Sequence, residues 1–143
     1  MKRTMRTLAA TTGIVTVLAG TLVTAGTAAA EDAATTNQSG IRIVAQAHTD
    51  EGGWIEYAID DLADGVTIQA VEEVGGGIWS HGATANAAGQ KSCYSQYRHD
   101  SVAHGSSVEM DGSKDSDWVG PGAVSSARVT KYTTATCKTY WRK

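Results

Sequence analysis

The chain has 143 residues, contains no phenylalanine and carries a formal net charge of −3. So small a charge excludes the strongly basic surface that is typical of nucleic-acid binding. The charge is nevertheless uneven, because residues 31–74 carry ten acidic residues against Arg42 alone, whereas residues 75–143 carry five acidic and eight basic residues. The balance changes from −9 to +3 where three consecutive glycines begin at Gly75, and this change predicts a domain boundary there.

The first 30 residues have the pattern of a secretory signal peptide. Three basic residues among the first six precede an uncharged, moderately apolar stretch over 8–23, and three alanines end the segment at Ala30. This pattern predicts cleavage after Ala30 and export of the product. A retained membrane anchor would need roughly 20 mainly apolar residues, and threonines and glycines dilute this stretch.

The acidic segment, residues 31–74, has patterns of regular structure. Residues 41–47 and 66–74 each predict a strand, and the apolar residues of 54–62 have the spacing of a helix. Two interpretations stay open for this segment. It is either a pro-region that masks the basic domain electrostatically until a protease removes it, or a solvated acidic extension that aids secretion and solubility.

Residues 75–143 have the patterning of an all-β, antiparallel fold. Alternation places Cys93, Ser95, Tyr97 and His99 on one face of a strand, and His104, Ser106, Val108 and Met110 on one face of the next. Residues 126–132 and 135–141 predict a terminal hairpin, and turn signals lie at 111–113 and 120–122. Several short strands at this spacing predict a small antiparallel β-sandwich.

The exported part contains two cysteines, Cys93 and Cys137, with 43 residues between them. In an oxidising compartment one such pair predicts one disulfide. Closing a loop of this length would stabilise the fold by about 4 kcal/mol in the chain-entropy model. A catalytic thiol or a metal site fits poorly, since no Cys-x-x-Cys motif is present.

The large aromatic residues are predicted mainly to pack the core, because no phenylalanine is available to do so. This prediction covers Trp79, Trp118, Tyr132 and Trp141. Tyr94 and Tyr97 lie on opposite faces of one strand, so at least one of them is expected to be exposed.

The sequence gives little support to metal binding or catalysis. His81, His99 and His104 have no accompanying carboxylate or thiolate pattern, so structural or hydrogen-bonding roles are favoured over a metal site. No nucleophile elbow, zinc-protease helix or phosphate-binding loop occurs. We therefore predict no enzyme activity, no cofactor and no metal.

Residues 75–143 contain an ordered pattern of glycine, aromatic, histidine and serine residues. Its members are Gly76, Gly77, Trp79, Gly82, Tyr94, Tyr97, His99, His104, Ser106, Ser107, Tyr140 and Trp141. This pattern resembles the lactococcin 972 family of secreted bacteriocins, and the resemblance covers about half of the chain.

This resemblance implies a β-sandwich that inhibits related Gram-positive bacteria by interfering with septum synthesis through a membrane-linked wall precursor. It also implies that a membrane protein and an ABC-type transporter protect the producer; homo-oligomer formation is left open. In our hypothesis basic side chains bind the precursor's phosphates, and the backbone of residues 75–77 approaches the precursor closely and donates its amides. Tyr97, His99 and His104 contact the sugar or peptide groups. The residues predicted to bind ligand are Gly76, Gly77, Trp79, Lys91, Tyr97, Arg98, His99, His104, Arg128 and Lys131.

The sequence leaves two other functions open. The runner-up is a secreted, non-enzymatic binding or inhibitor module that does not kill, and the third is a small secreted hydrolase. An inhibitor would form a stable complex with a protein target, whereas a bacteriocin would arrest sensitive cells at the wall.

Overall fold

The structure, a computed structural model, describes residues 40–60 and 65–143. The predicted signal peptide lies outside the described residues, as do 31–39 and 61–64 of the acidic segment. The described part of the chain contains nine strands and no helix, and so no helix that would span a bilayer. The strands are β1 (Ile41–His48), β2 (Gly52–Ile59), β3 (Val66–Val74), β4 (Gly77–Ala85), β5 (Gln90–Arg98), β6 (His104–Met110), β7 (Ser113–Val119), β8 (Val124–Tyr132) and β9 (Cys137–Arg142).

The strands form two antiparallel sheets whose inner faces enclose the core. One sheet has five strands in the order β1-β2-β9-β6-β7, and the other has four in the order β3-β4-β5-β8. The prediction of an all-β antiparallel fold is confirmed. The predicted strands over 41–47 and 66–74 are also confirmed, as β1 and β3.

The acidic segment is part of the sandwich. Within residues 75–143, three adjacent strands lie in each sheet, β9-β6-β7 and β4-β5-β8. The acidic segment extends both sheets, because β2 pairs with β9 and β3 pairs with β4. The change of charge at Gly75 is therefore not a boundary between separately packed units, and the described residues of 41–74 are not a solvated extension.

The predicted helix over 54–62 is wrong, since residues 52–59 form β2. Ile55, Tyr57 and Ile59 alternate along this strand and are all buried. The misassignment has a simple cause: residues four apart, such as Ile55 and Ile59, share a face in a helix and also in a strand. Pairing on both sides, with β1 and β9, decided between the two periods.

The predicted terminal hairpin is also wrong. β8 pairs with β5 in the four-stranded sheet, whereas β9 pairs with β2 and β6 in the five-stranded sheet. Both strands have one buried face, Ser125, Ala127 and Val129 in β8 and Cys137, Thr139 and Trp141 in β9. These faces lie opposite each other across the core, so the short connection crosses between the sheets.

The predicted disulfide between Cys93 and Cys137 is confirmed. It joins β5 to β9, one strand from each sheet, in the middle of the core. The inward faces predicted for β5 and β6 are confirmed as well, because alternate residues from Cys93 to His99 and from His104 to Met110 are buried.

The aromatic residues follow the packing prediction only in part. Trp79 and Trp141 are fully buried, but Trp118 is 51% and Tyr132 69% exposed. The expectation that one of the tyrosines in β5 is exposed is wrong: Tyr97 is 0% and Tyr94 8% exposed. Tyr94 lies on the outer face, where the guanidinium of Arg128 covers its ring at 5.3 Å.

Carboxylates of β7 protect one edge of the four-stranded sheet. β8 ends that sheet, so its outward backbone N–H groups have no strand partner. The Asp117 carboxylate accepts the N–H of Ser126 at 3.0 Å, and Asp115 accepts that of Arg128 at 2.8 Å. Satisfying these donors closes one side of the sandwich to further strand pairing.

Candidate functional site

The ten residues predicted to bind ligand fall into an interior group and a surface group. Four side chains have at most 1% of their surface exposed, namely Trp79, Lys91, Tyr97 and His104. Contact between these side chains and a ligand from solution would require the sandwich to open. In this structure they hold other groups in place.

Lys91 is an interior cation on the inner face of β5. Its Nζ donates to the carbonyl oxygens of Ile59 and Ala135, both at 3.3 Å. Burial lowers the pKa of its amine. Lys91 thus links the end of β2 to the segment before β9, and its charge is not available to a phosphate in solution.

The two histidines near the end of β5 shape the loop between β5 and β6. The backbone N–H of His99 donates to His104 Nε2 at 3.3 Å, and His104 Nδ1 lies 2.9 Å from the carbonyl oxygen of Val102. His99 Nδ1 in turn accepts the N–H groups of Ser101 and Val102. Both imidazoles therefore hold the loop in its conformation through hydrogen bonds to its backbone.

Tyr97 fixes the end of β3 and lies against the start of β4. Its hydroxyl donates to the carbonyl oxygen of Val74 at 2.9 Å, and burial raises the pKa of this phenol. Gly77 passes directly over the ring, and a Cβ there would lie 2.7 Å from the hydroxyl and would collide with the carbonyl oxygen of Arg98. Only glycine fits at this approach of β4 to β5.

Three of the surface residues meet at one end of the sandwich. Gly76, Gly77 and Arg98 line a depression of about 510 Å³ together with Glu73, Ile78 and Asp100. We call this depression the turn cleft, because it lies beside the β3–β4 turn. His99, 9% exposed, lies next to it, with its Nε2 3.2 Å from the position of a Cβ on Gly76.

The charge of the turn cleft limits what it can bind. The Arg98 guanidinium donates to Asp100 at 3.0 Å, and Glu73 adds a second carboxylate. Two carboxylates for one cation disfavour a pyrophosphate and favour a ligand that offers hydrogen-bond donors, such as sugar hydroxyl or peptide N–H groups.

The two other exposed basic residues predicted to bind ligand, Arg128 and Lys131, do not line the turn cleft. The register of β5 and β8 places Arg98 opposite Val124 and Arg128 four residues further along, about 13 Å away. Lys131 donates to the carbonyl oxygen of Asp111 at 2.7 Å. The structure therefore does not bring the four predicted cations together into one phosphate site.

A partly buried hydrogen-bond network, which the sequence did not predict, joins the acidic segment to residues 75–143. Tyr57 Oη lies 2.5 Å from His81 Nδ1, and His81 Nε2 lies 3.2 Å from a Glu72 carboxylate oxygen. Both contacts are satisfied when the Tyr57 hydroxyl donates a hydrogen bond to Nδ1 and the Nε2–H group donates one to the Glu72 carboxylate. The hydrogen bond from His81 lowers the pKa of Glu72, and burial raises that of Tyr57.

A sequence signal for this network existed. In the strand pattern of residues 66–74, Glu72 occupies the face that otherwise carries only Val66, Ile68, Ala70 and Val74. A lone carboxylate on an apolar strand face indicates a buried partner.

Within residues 40–60 and 65–143, no three His, Cys, Asp or Glu side chains are arranged to hold a metal ion.

Comparison with known proteins gives one match. Residues 75–141 match the family described as Bacteriocin (Lactococcin_972). No curated protein and no solved structure matches the chain. The matched residues cover strands β4 to β9 almost completely, so the family segment corresponds to the six adjacent strands and the disulfide.

Proposed function

Because the segment over residues 75–141 belongs to the lactococcin 972 bacteriocin family, we propose that this protein is an exported bacteriocin that stops related Gram-positive bacteria at septum synthesis. The proposed target is a membrane-linked precursor of the cell wall. The protein acts by binding and without enzyme activity. A membrane protein and an ABC-type transporter of the producer are the proposed partners in self-protection.

The observation that carries this proposal is the agreement between the family match and the fold. The matched residues form three adjacent strands in each sheet, held across the core by Cys93 and Cys137. Nothing in that unit is an amphipathic basic helix of the kind that disrupts membranes by itself. Its strands therefore support recognition of a target over direct membrane disruption.

The turn cleft is the proposed contact with the precursor. It holds Gly76, Gly77 and Arg98 in fixed positions at the surface. The Arg98 guanidinium and the exposed backbone would bond the sugar and peptide part of the precursor, and the two carboxylates would accept its hydroxyl and N–H groups. In this proposal the phosphates of the precursor lie outside the cleft.

The test is growth of a panel of Gram-positive bacteria with purified, oxidised protein over residues 31–143, with septum morphology scored by microscopy. We expect arrested septation in sensitive strains and at least tenfold weaker inhibition by Arg98→Ala. Arg128→Ala is the matched control, because it removes an equal charge about 13 Å away, and it should inhibit like the wild type.

Two results would contradict the proposal. If the folded wild-type protein inhibited the growth of no strain, the result would favour a secreted binding module that does not kill. Equal inhibition by Arg98→Ala and the wild type would remove the turn cleft from the mechanism.

A further inference from the structure

The outer face of the five-stranded sheet carries a second concave surface, distinct from the turn cleft. A depression of about 340 Å³ lies there, within the size range of small-molecule sites. Trp54 forms one wall, Tyr140 and Ser107 lie at its floor, and Arg142 forms the opposite side. We call this depression the sheet groove.

Glycines make the groove concave. Gly52 and Gly105 are the cross-strand neighbours of Arg142 on its two sides, so neither adds a side chain to the face. Trp118 pairs with Gly105 and its ring lies over that glycine, where a Cβ would be only 2.6 Å from the ring. The Arg142 guanidinium lies 5.1 Å from the centre of the Trp118 ring.

Two tryptophans lie on this sheet face: Trp54 lines the groove, and Trp118 lies outside it, against Arg142. Trp54 lies on β2 and Trp118 on β7, and β9 and β6 run between them. Three strand spacings and an offset of two residues along the strands separate their Cα positions by roughly 16 Å. A ligand that contacts both rings is an extended molecule, longer than a single sugar or amino acid.

The two lysines at or beside the groove are ion-paired, whereas Arg142 has no carboxylate partner within the described part of the chain. Lys138 Nζ also lies 4.9 Å from the centre of the Trp54 ring. Lys114 donates to Glu109 at 2.7 Å, and Lys138 pairs with Glu56 at 3.3 Å. Tyr140 also donates to Glu109, at 3.1 Å. These bonds to Lys114 and Tyr140 lower the pKa of Glu109, and burial with the neighbouring carboxylate raises the pKa of Tyr140 to about 12.

We propose that the sheet groove binds a neutral, extended oligosaccharide. Sugar rings present C–H groups on their faces and hydroxyls at their edges, which match aromatic faces and fixed polar groups respectively. Trp54 and Trp118 supply the faces, and the ion-paired Glu109 and Tyr140 supply fixed hydrogen-bonding groups. Arg142 is the groove cation that is not ion-paired among the described residues, and its guanidinium can donate to sugar hydroxyls. Titration with pyrophosphate measures whether this cation binds phosphate instead.

The groove also gives the acidic segment a role. Trp54 lies outside residues 75–141, so the matched segment by itself contains only Trp118 of the two tryptophans on this face. The inference deepens the proposed function and rests on it in one respect: the wall glycan of a target cell is the natural source of such an oligosaccharide.

The test is calorimetric titration of folded, oxidised protein over residues 31–143 with an N-acetylglucosamine hexamer, with a β-linked glucose hexamer and with pyrophosphate. We expect saturable binding of at least one hexamer, about tenfold weaker in Trp54→Ala and in Trp118→Ala. Trp54→Phe keeps a ring and should stay close to the wild type. Tyr132→Ala, which removes a 69% exposed aromatic from the other sheet, is the matched control and should bind fully.

Three results would overturn the inference: no binding of either hexamer, unchanged binding in both tryptophan-to-alanine variants, or displacement of the hexamer by pyrophosphate. Growth inhibition is scored in parallel to separate the two proposals. Growth inhibition without oligosaccharide binding would contradict the inference and support the proposed function. Oligosaccharide binding without growth inhibition would support the inference and contradict the proposed function.

Discussion

Starting the chain at Gly75 is expected to destabilise the sandwich by an amount comparable with its whole stability. The truncation removes β1, β2 and β3 and with them three isoleucines of the core, Ile41, Ile55 and Ile59, which are 1%, 1% and 7% exposed. Burying one such side chain contributes about 1.5–3 kcal/mol, so the three contribute about 5–9 kcal/mol. A domain of this size has a total stability of about 5–15 kcal/mol.

The truncation also removes hydrogen bonds that the remaining residues need. Lys91 loses the Ile59 carbonyl, His81 loses Tyr57 and Glu72, and β4 and β9 each become an open sheet edge. A buried polar group left without its partner costs about 1–3 kcal/mol. The Cys93–Cys137 disulfide is present in both forms, so its contribution of about 4 kcal/mol does not change the difference in stability between them.

The assay is urea unfolding followed by tryptophan fluorescence, with oxidised protein over residues 31–143 compared with 75–143. We expect the shorter form to unfold at much lower urea or without a cooperative transition, and a synthetic peptide over 40–74 to restore stability by strand addition. Equal midpoints for the two forms would refute the reasoning, because β1 to β3 would then be a separable layer and not part of the core.

Three further changes test the packing. Replacing both cysteines with alanine should lower the free energy of unfolding by about 4 kcal/mol in urea, and an unchanged value would mean that the disulfide does not constrain the unfolded chain. Gly77→Ala should cost about 1–3 kcal/mol through collision with the Arg98 carbonyl, whereas Gly120→Ala, with nothing within 4 Å of the added carbon, should stay within about 0.5 kcal/mol; equal melting temperatures would contradict this. Because His81 lowers the pKa of Glu72, the ionised carboxylate stabilises the folded state fully above the ordinary pKa of 4.5. This stabilisation is lost as the pH falls through the lowered pKa. The difference in unfolding free energy between wild type and Glu72→Gln should therefore shrink in acid, and a difference that grows on acidification would overturn the assignment.

The sequence predicted the fold class and much of the interior. Alternation identified the inward residues of β5 and β6, and the single cysteine pair identified the disulfide between the sheets. These features are readable because each depends on local periodicity or on a unique pair.

Pairing between distant strands decided what the sequence left ambiguous. The spacing of Ile55 and Ile59 fits a helix as well as a strand, and only the β1 and β9 neighbours make residues 52–59 a strand. Two strands that are adjacent in sequence, β8 and β9, lie in different sheets because both bury a face from opposite sides of the core.

The candidate sites show the same division. Residue type alone made Lys91, Tyr97 and His104 plausible ligand contacts, but their inward faces put them in the interior. Conversely, Trp54 and Trp118 lie far apart in the sequence, and nothing in their local patterns predicts that they share one sheet face.

By itself the sequence indicated the resemblance of residues 75–143 to a known family, the all-β class, the disulfide and the uneven charge, since motifs, alternation and composition are properties of short stretches of chain. Only the tertiary structure decided that the acidic segment completes both sheets, which polar groups are buried and which aromatics face solvent. Those outcomes depend on which strands pair and which faces meet, and these contacts join residues that are distant along the chain.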